Sequence, residues 1–464
     1  MSAHFSRLSK SLARQGVHVD YTHGVYRLSR ADASASVLLP ATLPLEQKAV
    51  KQLLDFAAVR SADGAHAVCK ACATPDFHPG SVVPVGTVVA TASDFVIPAS
   101  IGTDINCGMR LITTGLTLAA FRQIEPQLQA YLTRTLLQNG RDVPLHTQSY
   151  RALFDDGPLA FIDSLHAGGL WSQVDAQRLA DELGACIGLD SFQAGSRCAP
   201  DALVGAREVI RDPCLGTPGG GNHFVEFQCV DAVLDRHAAY AAGLRADDVV
   251  LMIHSGSRDL GFYVGQRWMD RARAAWPAGL KHPDSGLYGL AGALAQEYLT
   301  AMGTAARYAW ANRLVLAELV RQALAAVAGV TASRLVVDVP HNVVLQEHGW
   351  NVHRKGATPA HDGDLALIPG SMGDASYLAL GLGQSDWLWS CSHGAGRRMR
   401  RQDVRRMRQP ESDGSWRCVT LREERRIEEA PQAYKPIGPV IDAQEQAGLI
   451  RPVARLRPLL TFKA

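Results

Sequence analysis

Long hydrophobic runs are missing from this sequence. Its most apolar stretch, "RLVLAELVRQALAAVAGV", carries charges at helical spacing and is too short to span a bilayer, so no membrane-embedded segment is expected. The opening "MSAHFSRLSKSLARQGVHVDYTHG" lacks the apolar core and cleavage pattern of a secretory signal. A strong net charge is missing too. At +2 over 464 residues no global field draws in nucleic acid, and an anionic partner must be held by local clusters. Nine cysteines, an odd number at irregular spacings, make no disulfide framework, and a reducing cytoplasm is the expected setting. The lone C-x-x-C of Cys69 and Cys72 has no second pair to complete a zinc site.

Several catalytic signatures are also absent. No G-x-x-x-x-G-K-[ST] phosphate loop occurs, and no H-E-x-x-H helix. Ser257 and Ser371 lack the flanking glycines of a serine-hydrolase elbow.

What remains is an ordinary globular composition, 47% hydrophobic and 20% charged, with ample material for a core. Residues 1–42 read as a variable extension with a short hairpin around "YTHGVYRLS". "LPLEQKAVKQLLDFAAV" has the spacing of an amphipathic helix. Residues 43–464 read as one catalytic domain in which Gly/Pro-rich strand-loop modules alternate with helical insertions near 117–210 and 262–330. The fold class expected is α+β.

Five strand-to-loop junctions each present a ligand-type side chain beside small residues. They are Asp104 and Cys107 in "GTDINCGMR", His223 in "GGGNHF", His254 in "MIHSGSR", His341 in "VPHNVV" and His393 in "CSHGAGR". A single histidine at a strand end is usually a satisfied polar residue. Together these residues supply donors for one or two divalent ions, with a thiolate able to bridge two. The mixed oxygen, nitrogen and sulfur set does not choose among zinc, manganese and iron.

The ordered motifs "PDFHPG", "IGTDINCGM", "GTPGGGNHFVE", "HSGSRDLG", "PHNVV", "RKGATPA", "IPGSMGDASY", "SHGAGR" and "ARLRPLLTFKA" resemble the RtcB family of tRNA-splicing and RNA-repair ligases. The resemblance implies mixed β-sheets around a central dinuclear-metal cleft, with two Mn²⁺ ions and GTP as cofactors. Cys107, His254 and His341 would hold one ion, and Asp104, Cys107 and His223 the other. His393 matches the histidine that accepts GMP. Asn222, Arg258, Asn342 and Arg397 would contact phosphates, while Glu226, Ser371, Ser376 and Lys463 would surround guanine. Asp76 is expected to stabilise its turn rather than touch metal, and His78 receives no role.

The implied reaction joins an RNA 3′-phosphate or 2′,3′-cyclic phosphate, in tRNA among other RNAs, to a 5′-hydroxyl. The family resemblance also admits an archease-type activator as partner. Arg354, Lys355, Arg398, Arg400 and Arg401 are candidates for an RNA surface, the last three within a run of seven arginines from Arg397 to Arg408. That run reads equally as a solvated helix face. Arg398, Arg400 and Asp259 depart from the usual family text and mark a divergent paralogue. A 3′-phosphate capping enzyme for RNA or DNA, a metal-dependent phosphoesterase and a non-catalytic RNA-binding module are the competing readings.

Overall fold

The computed structural model describes residues 3–407 and 414–464. Arg408, the last of the arginine run, lies outside them. Two large sheets carry the chain, and the first forty residues are woven into one of them. After a helix at Ala3–Ala13, His18–Thr22 and Val25–Arg30 form the expected hairpin. Its two turn residues, His23 and Gly24, both have positive φ (49° and 82°), as a tight turn between right-twisted strands requires. Ala33–Leu38 continues the sheet and pairs in parallel with Val68–His78. Val85–Ala92, Trp350–Lys355 and Asn342–Glu347 complete the seven strands. The amphipathic helix lies at Gln47–Ala57, and it buries Ala49, Val50, Leu53, Leu54 and Phe56 in the core on this sheet.

The second sheet runs in the order Arg334–Pro340, Gly108–Thr117, Asp248–Ser255, Phe224–Val233, Ile450–Lys463, Ser376–Gly381 and Leu365–Ile368. Arg417–Thr420 adds a parallel partner to the long last strand. The central strands are buried almost without alternation, because helices and loops cover both faces. Helices from residues 118–204 and 258–328 cover the sheet. Short helical pieces fill most of 118–204, and Ala293–Ala328 forms one 36-residue helix. Tyr298, Trp310 and Leu316 bury this helix on several sides, and Gly329 (φ 65°) caps its end. Among the described residues no helix is long and apolar enough to cross a membrane.

Strand register then places the chemistry. Gly108 lies opposite both Ser255 and Pro340, and Phe224 lies opposite His254. The residues just outside or at these ends are Cys107, His223, His254 and His341, so four separate segments deliver their side chains to one end of the sheet. His341 is also the single residue between a strand of the second sheet and a strand of the first. The site sits where the two sheets meet.

Candidate active site

Cys107 stands at the centre of the cluster. Its Sγ is 3.0 Å from His223 Nε2 and 3.2 Å from His254 Nε2. His254 Nε2 is in turn 3.1 Å from His341 Nε2, and His223 Nε2 is 3.1 Å from Asp104 Oδ2. The donors form two triples that share the thiol: Cys107, His254 and His341, and Asp104, Cys107 and His223. Within each triple the donor atoms lie within 4.8 Å of one another. Burial and the neighbouring imidazoles push the His254 and His341 pKa values far down, which keeps both rings neutral. When these Nε2 atoms and the sulfur carry no proton, their lone pairs converge and suit a shared cation. This donor set therefore fits two metal ions bridged by sulfur. Enclosure would raise the Asp104 carboxyl, but His223 and the Cys107 thiol hold it below the usual carboxylate range.

The long helix braces this cluster from behind. Arg313 Nη1 donates to the Asn106 and Ser255 carbonyls at 2.8 and 3.1 Å, beside Cys107 and His254. Its guanidinium is clamped by buried Asp338, which also holds Arg110. Asn312 Nδ2 donates to Ser255 Oγ and to the Thr217 and Gly256 carbonyls, and its Oδ1 accepts from Gly216 N–H. The sequence reading missed both residues. Their signal was an amide and a charge side by side, Asn312 and Arg313, among the apolar residues at the middle of the helix.

His393 lies next to the cluster, its ring centre 4.8 Å from that of His341. Its Nδ1 is 2.6 Å from Asp76 Oδ2, and Asp76 is fully buried. Thr74 Oγ1 donates to the other carboxylate oxygen at 2.6 Å. Burial would raise the Asp76 carboxyl, but the hydrogen bonds from His393 and Thr74 hold it below the usual range. The role expected for Asp76, a local turn, is thereby corrected: its side chain reaches across the fold to the candidate nucleophile. Lys435 fixes the same strand, donating to the Pro75 and Phe77 carbonyls at 3.0 and 2.5 Å on either side of Asp76. His78 Nδ1 is 2.7 Å from the Asp76 carbonyl, and burial pushes its pKa down to about 3.

The small residues after His393 also have a packing reason. A Cβ at Gly396 (φ 78°) would run into the backbone of Asp76. Glycine is needed there so that the histidine loop can lie on the aspartate strand.

A cavity of about 600 Å³ opens over these groups. Its walls include Asp104, Cys107, His254, His341, His393, Asn222, Glu226, Asn342, Ser371, Arg397 and Lys463. Glu226 is buried, accepts from Gln228 Nε2 at 2.6 Å and is hydrogen-bonded by Thr461. Lys463 ends the last strand rather than fraying. It is buried and donates to the His223 carbonyl at 3.1 Å. Asn342 ties the Asp104 carbonyl to Gly356 N–H. Two expected nucleotide contacts stand behind the wall. Ser376 meets Gln228 at 3.0 Å, and Arg258 Nε donates to Thr217 Oγ1 at 3.1 Å, with its guanidinium against Gly219.

The expected RNA surface divides. Arg354 is wholly buried, forked onto Glu347 at 2.7 and 2.9 Å, so no strand can reach it. Lys355 turns inward as well; its Nζ donates to the Ile101 carbonyl at 2.8 Å and faces Asp104 within the cavity wall. Arg398, Arg400 and Arg401 are exposed at the cavity mouth. Arg397 is engaged internally. It pairs with Glu429 at 2.8 Å, donates to the Glu428 carbonyl at 2.7 Å and covers the Tyr434 ring.

Comparison with known proteins gives the family. The sequence profile of the family described as "tRNA-splicing ligase RtcB" matches residues 55–464. The chain is 35% identical over 435 residues to a tRNA-splicing ligase RtcB of Thermococcus kodakarensis, covering 83% of this chain and 86% of that one. It is also 35% identical over 434 residues to an RNA-splicing ligase RtcB of Mycobacterium tuberculosis, covering 83% and 95% of the two chains. A tRNA-splicing ligase RtcB of Archaeoglobus fulgidus is 32% identical over 465 residues, covering 89% and 91%. The profile and the relatives alike span most of the chain, and the profile takes in the donor cluster and His393: the protein is a member of the RtcB ligase family.

Proposed function

We propose that this protein is a GTP- and Mn²⁺-dependent RNA ligase that joins 3′-phosphate or 2′,3′-cyclic phosphate ends to 5′-hydroxyl ends. The observation that carries the reading is the Asp76–His393 pair beside a donor cluster suited to two metals. Asp76 accepts a hydrogen bond from Nδ1–H, which keeps the proton on that nitrogen and leaves the Nε2 lone pair free toward the cavity. Nε2 attacks the α-phosphate of GTP, a nitrogen–phosphorus bond forms and pyrophosphate leaves. An oxygen of the RNA 3′-phosphate then attacks that phosphorus, breaks the bond to His393 and takes the guanylyl group. Finally the 5′-hydroxyl attacks the activated RNA phosphate, GMP leaves and the strands are joined. A cyclic end is first hydrolysed to the 3′-phosphate.

The two metals, held by Asp104, Cys107, His223, His254 and His341, would supply Lewis-acid stabilisation of phosphate charge. Manganese rather than zinc rests on the family likeness. Glu226, buried at the cavity wall, supports guanine over adenine, because its carboxylate accepts from N–H donors that adenine does not present. The names of the relatives support RNA as the substrate and tRNA splicing as a setting. With a 3′-phosphate strand, GTP and Mn²⁺, joined product should form only when a 5′-hydroxyl strand is present. A guanylylated strand that accumulates unjoined in its presence would instead identify a capping enzyme.

A further inference from the structure

Behind the cavity mouth lie two adjacent carboxylates that the proposed reaction does not use. Glu428 and Glu429 are 3% and 2% exposed. Above them sit arginines from two short helical segments, Arg401–Arg405 and Glu423–Glu428, packed together over Val404, Ala430 and Ala433. Arg405 pairs with Glu428, and Arg401 Nε reaches Glu429 Oε1 at 3.1 Å. Arg425 Nη1 stands 3.8 Å from Glu428 Oε2. The acids are buried, while the arginine side chains remain 33% to 53% exposed. The Arg401 and Arg405 guanidinium groups thus have one edge bound from below and further donors open to solvent, while Arg425 is held at ion-pair distance.

A solvated charge run needs no such foundation. Two neighbouring buried carboxylates are costly to desolvate and repel each other, so they persist only where cations pair with them. What the pair achieves is order: a planar guanidinium fixed in advance loses little freedom when it meets a phosphate. The place also fits. The loop Gly219–Gly221, which leads into Asn222 and His223, has no side chains, and Arg401 and Arg425 flank its last two glycines. The cationic surface therefore begins where the cavity wall ends.

We infer that Glu428 and Glu429 form a buried anchor that pre-orders Arg401, Arg405 and Arg425 as a docking surface for the phosphodiester backbone of single-stranded RNA. The choice of RNA rests on the ligase reading above, whereas the surface itself rests on charge, burial and position.

The test is fluorescence anisotropy with a labelled single-stranded RNA across a salt series, without GTP. Simple electrostatics says that Glu428→Gln, which removes a negative charge, tightens RNA binding. The anchor requires the opposite, a several-fold loss, because freed arginines must be ordered again. Arg405→Gln changes a half-exposed residue and tests the surface even if Glu428→Gln fails to fold. It should weaken binding and reduce the slope of log affinity against log salt by about 0.7. Tighter or unchanged binding in Glu428→Gln, or an unchanged slope in Arg405→Gln, overturns the inference. With no GTP present, this outcome is separate from whether His393 accepts GMP.

Discussion

Asp76 Oδ2 and His393 Nδ1, 317 residues apart in the chain, lie 2.6 Å from each other in the site. The pairing fixes which ring nitrogen carries the proton. In Asp76→Asn the amide can present its N–H to Nδ1 and so stabilise the wrong tautomer. Guanylylation of His393 should then slow by on the order of 10⁴-fold, by analogy with tautomer-fixing carboxylates elsewhere. The KM for GTP should stay close to wild type. A rise in KM with an unchanged rate would assign Asp76 to nucleotide binding instead.

Cys107 is the residue the two metal triples share. Cys107→Ser should reduce bound metal from two equivalents to one or fewer, measured by elemental analysis of protein reconstituted with Mn²⁺. In the metal-free protein, burial and the Asp104 charge push the Cys107 thiol well above its ordinary pKa. Metal uptake must displace that proton, so affinity should rise with pH. Calorimetry in buffers of different ionisation heat should show proton release, and Cys107→Ser should lose it.

Asn312 hydrogen-bonds five backbone or side-chain groups from the loops that carry His223 and His254. Asn312→Ala should lower metal affinity by about 10- to 100-fold, the range seen when groups supporting a ligand shell are lost. Stability should fall by about 1–3 kcal/mol, because buried donors and acceptors lose their partners. Metal titration and denaturant unfolding of the metal-free protein separate the two effects.

The Glu347–Arg354 pair contributes to acid stability. Arg354 and His361 hold the Glu347 pKa at about 2 against the opposing effect of burial. The folded carboxyl is thus more acidic than the unfolded one, and its contribution to stability is complete above pH about 4.5 and lost as pH falls toward 2. Glu347→Gln leaves a buried guanidinium without its counter-charge and should cost about 3 kcal/mol at neutral pH. It should also flatten the fall of stability across that acid window, measured by denaturant unfolding at several pH values.

Much of the site was legible in the sequence because its residues stand in short motifs whose glycines mark strand ends. The five candidate ligands and His393 needed only the fold to bring them together. The hairpin at His18–Arg30 and the helix at Gln47–Ala57 were legible from turn chemistry and periodicity. What was hidden depends on long-range packing. Asp76 reads locally as a turn residue, and nothing near it in sequence announces His393. Arg354 reads as a surface cation because a lone arginine next to Lys355 gives no hint that Glu347, across a strand pair, will bury it. Asn312 and Arg313 were concealed among the other polar and charged residues of a long helix, because local spacing does not tell which of them face the site. The arginine run was legible as charge, but its foundation came from Glu428 and Glu429, beyond the reach of local pattern.

The central claim is that His393 becomes covalently guanylylated, and transfer of label from α-phosphate-radiolabelled GTP tests it most directly. Wild-type protein reconstituted with Mn²⁺ should retain label through denaturing electrophoresis. The bond should be acid-labile and alkali-stable, as expected of a phosphoramidate, and His393→Ala with metal content intact should retain none. Label on His393→Ala, or none on metal-replete wild type, would contradict the account.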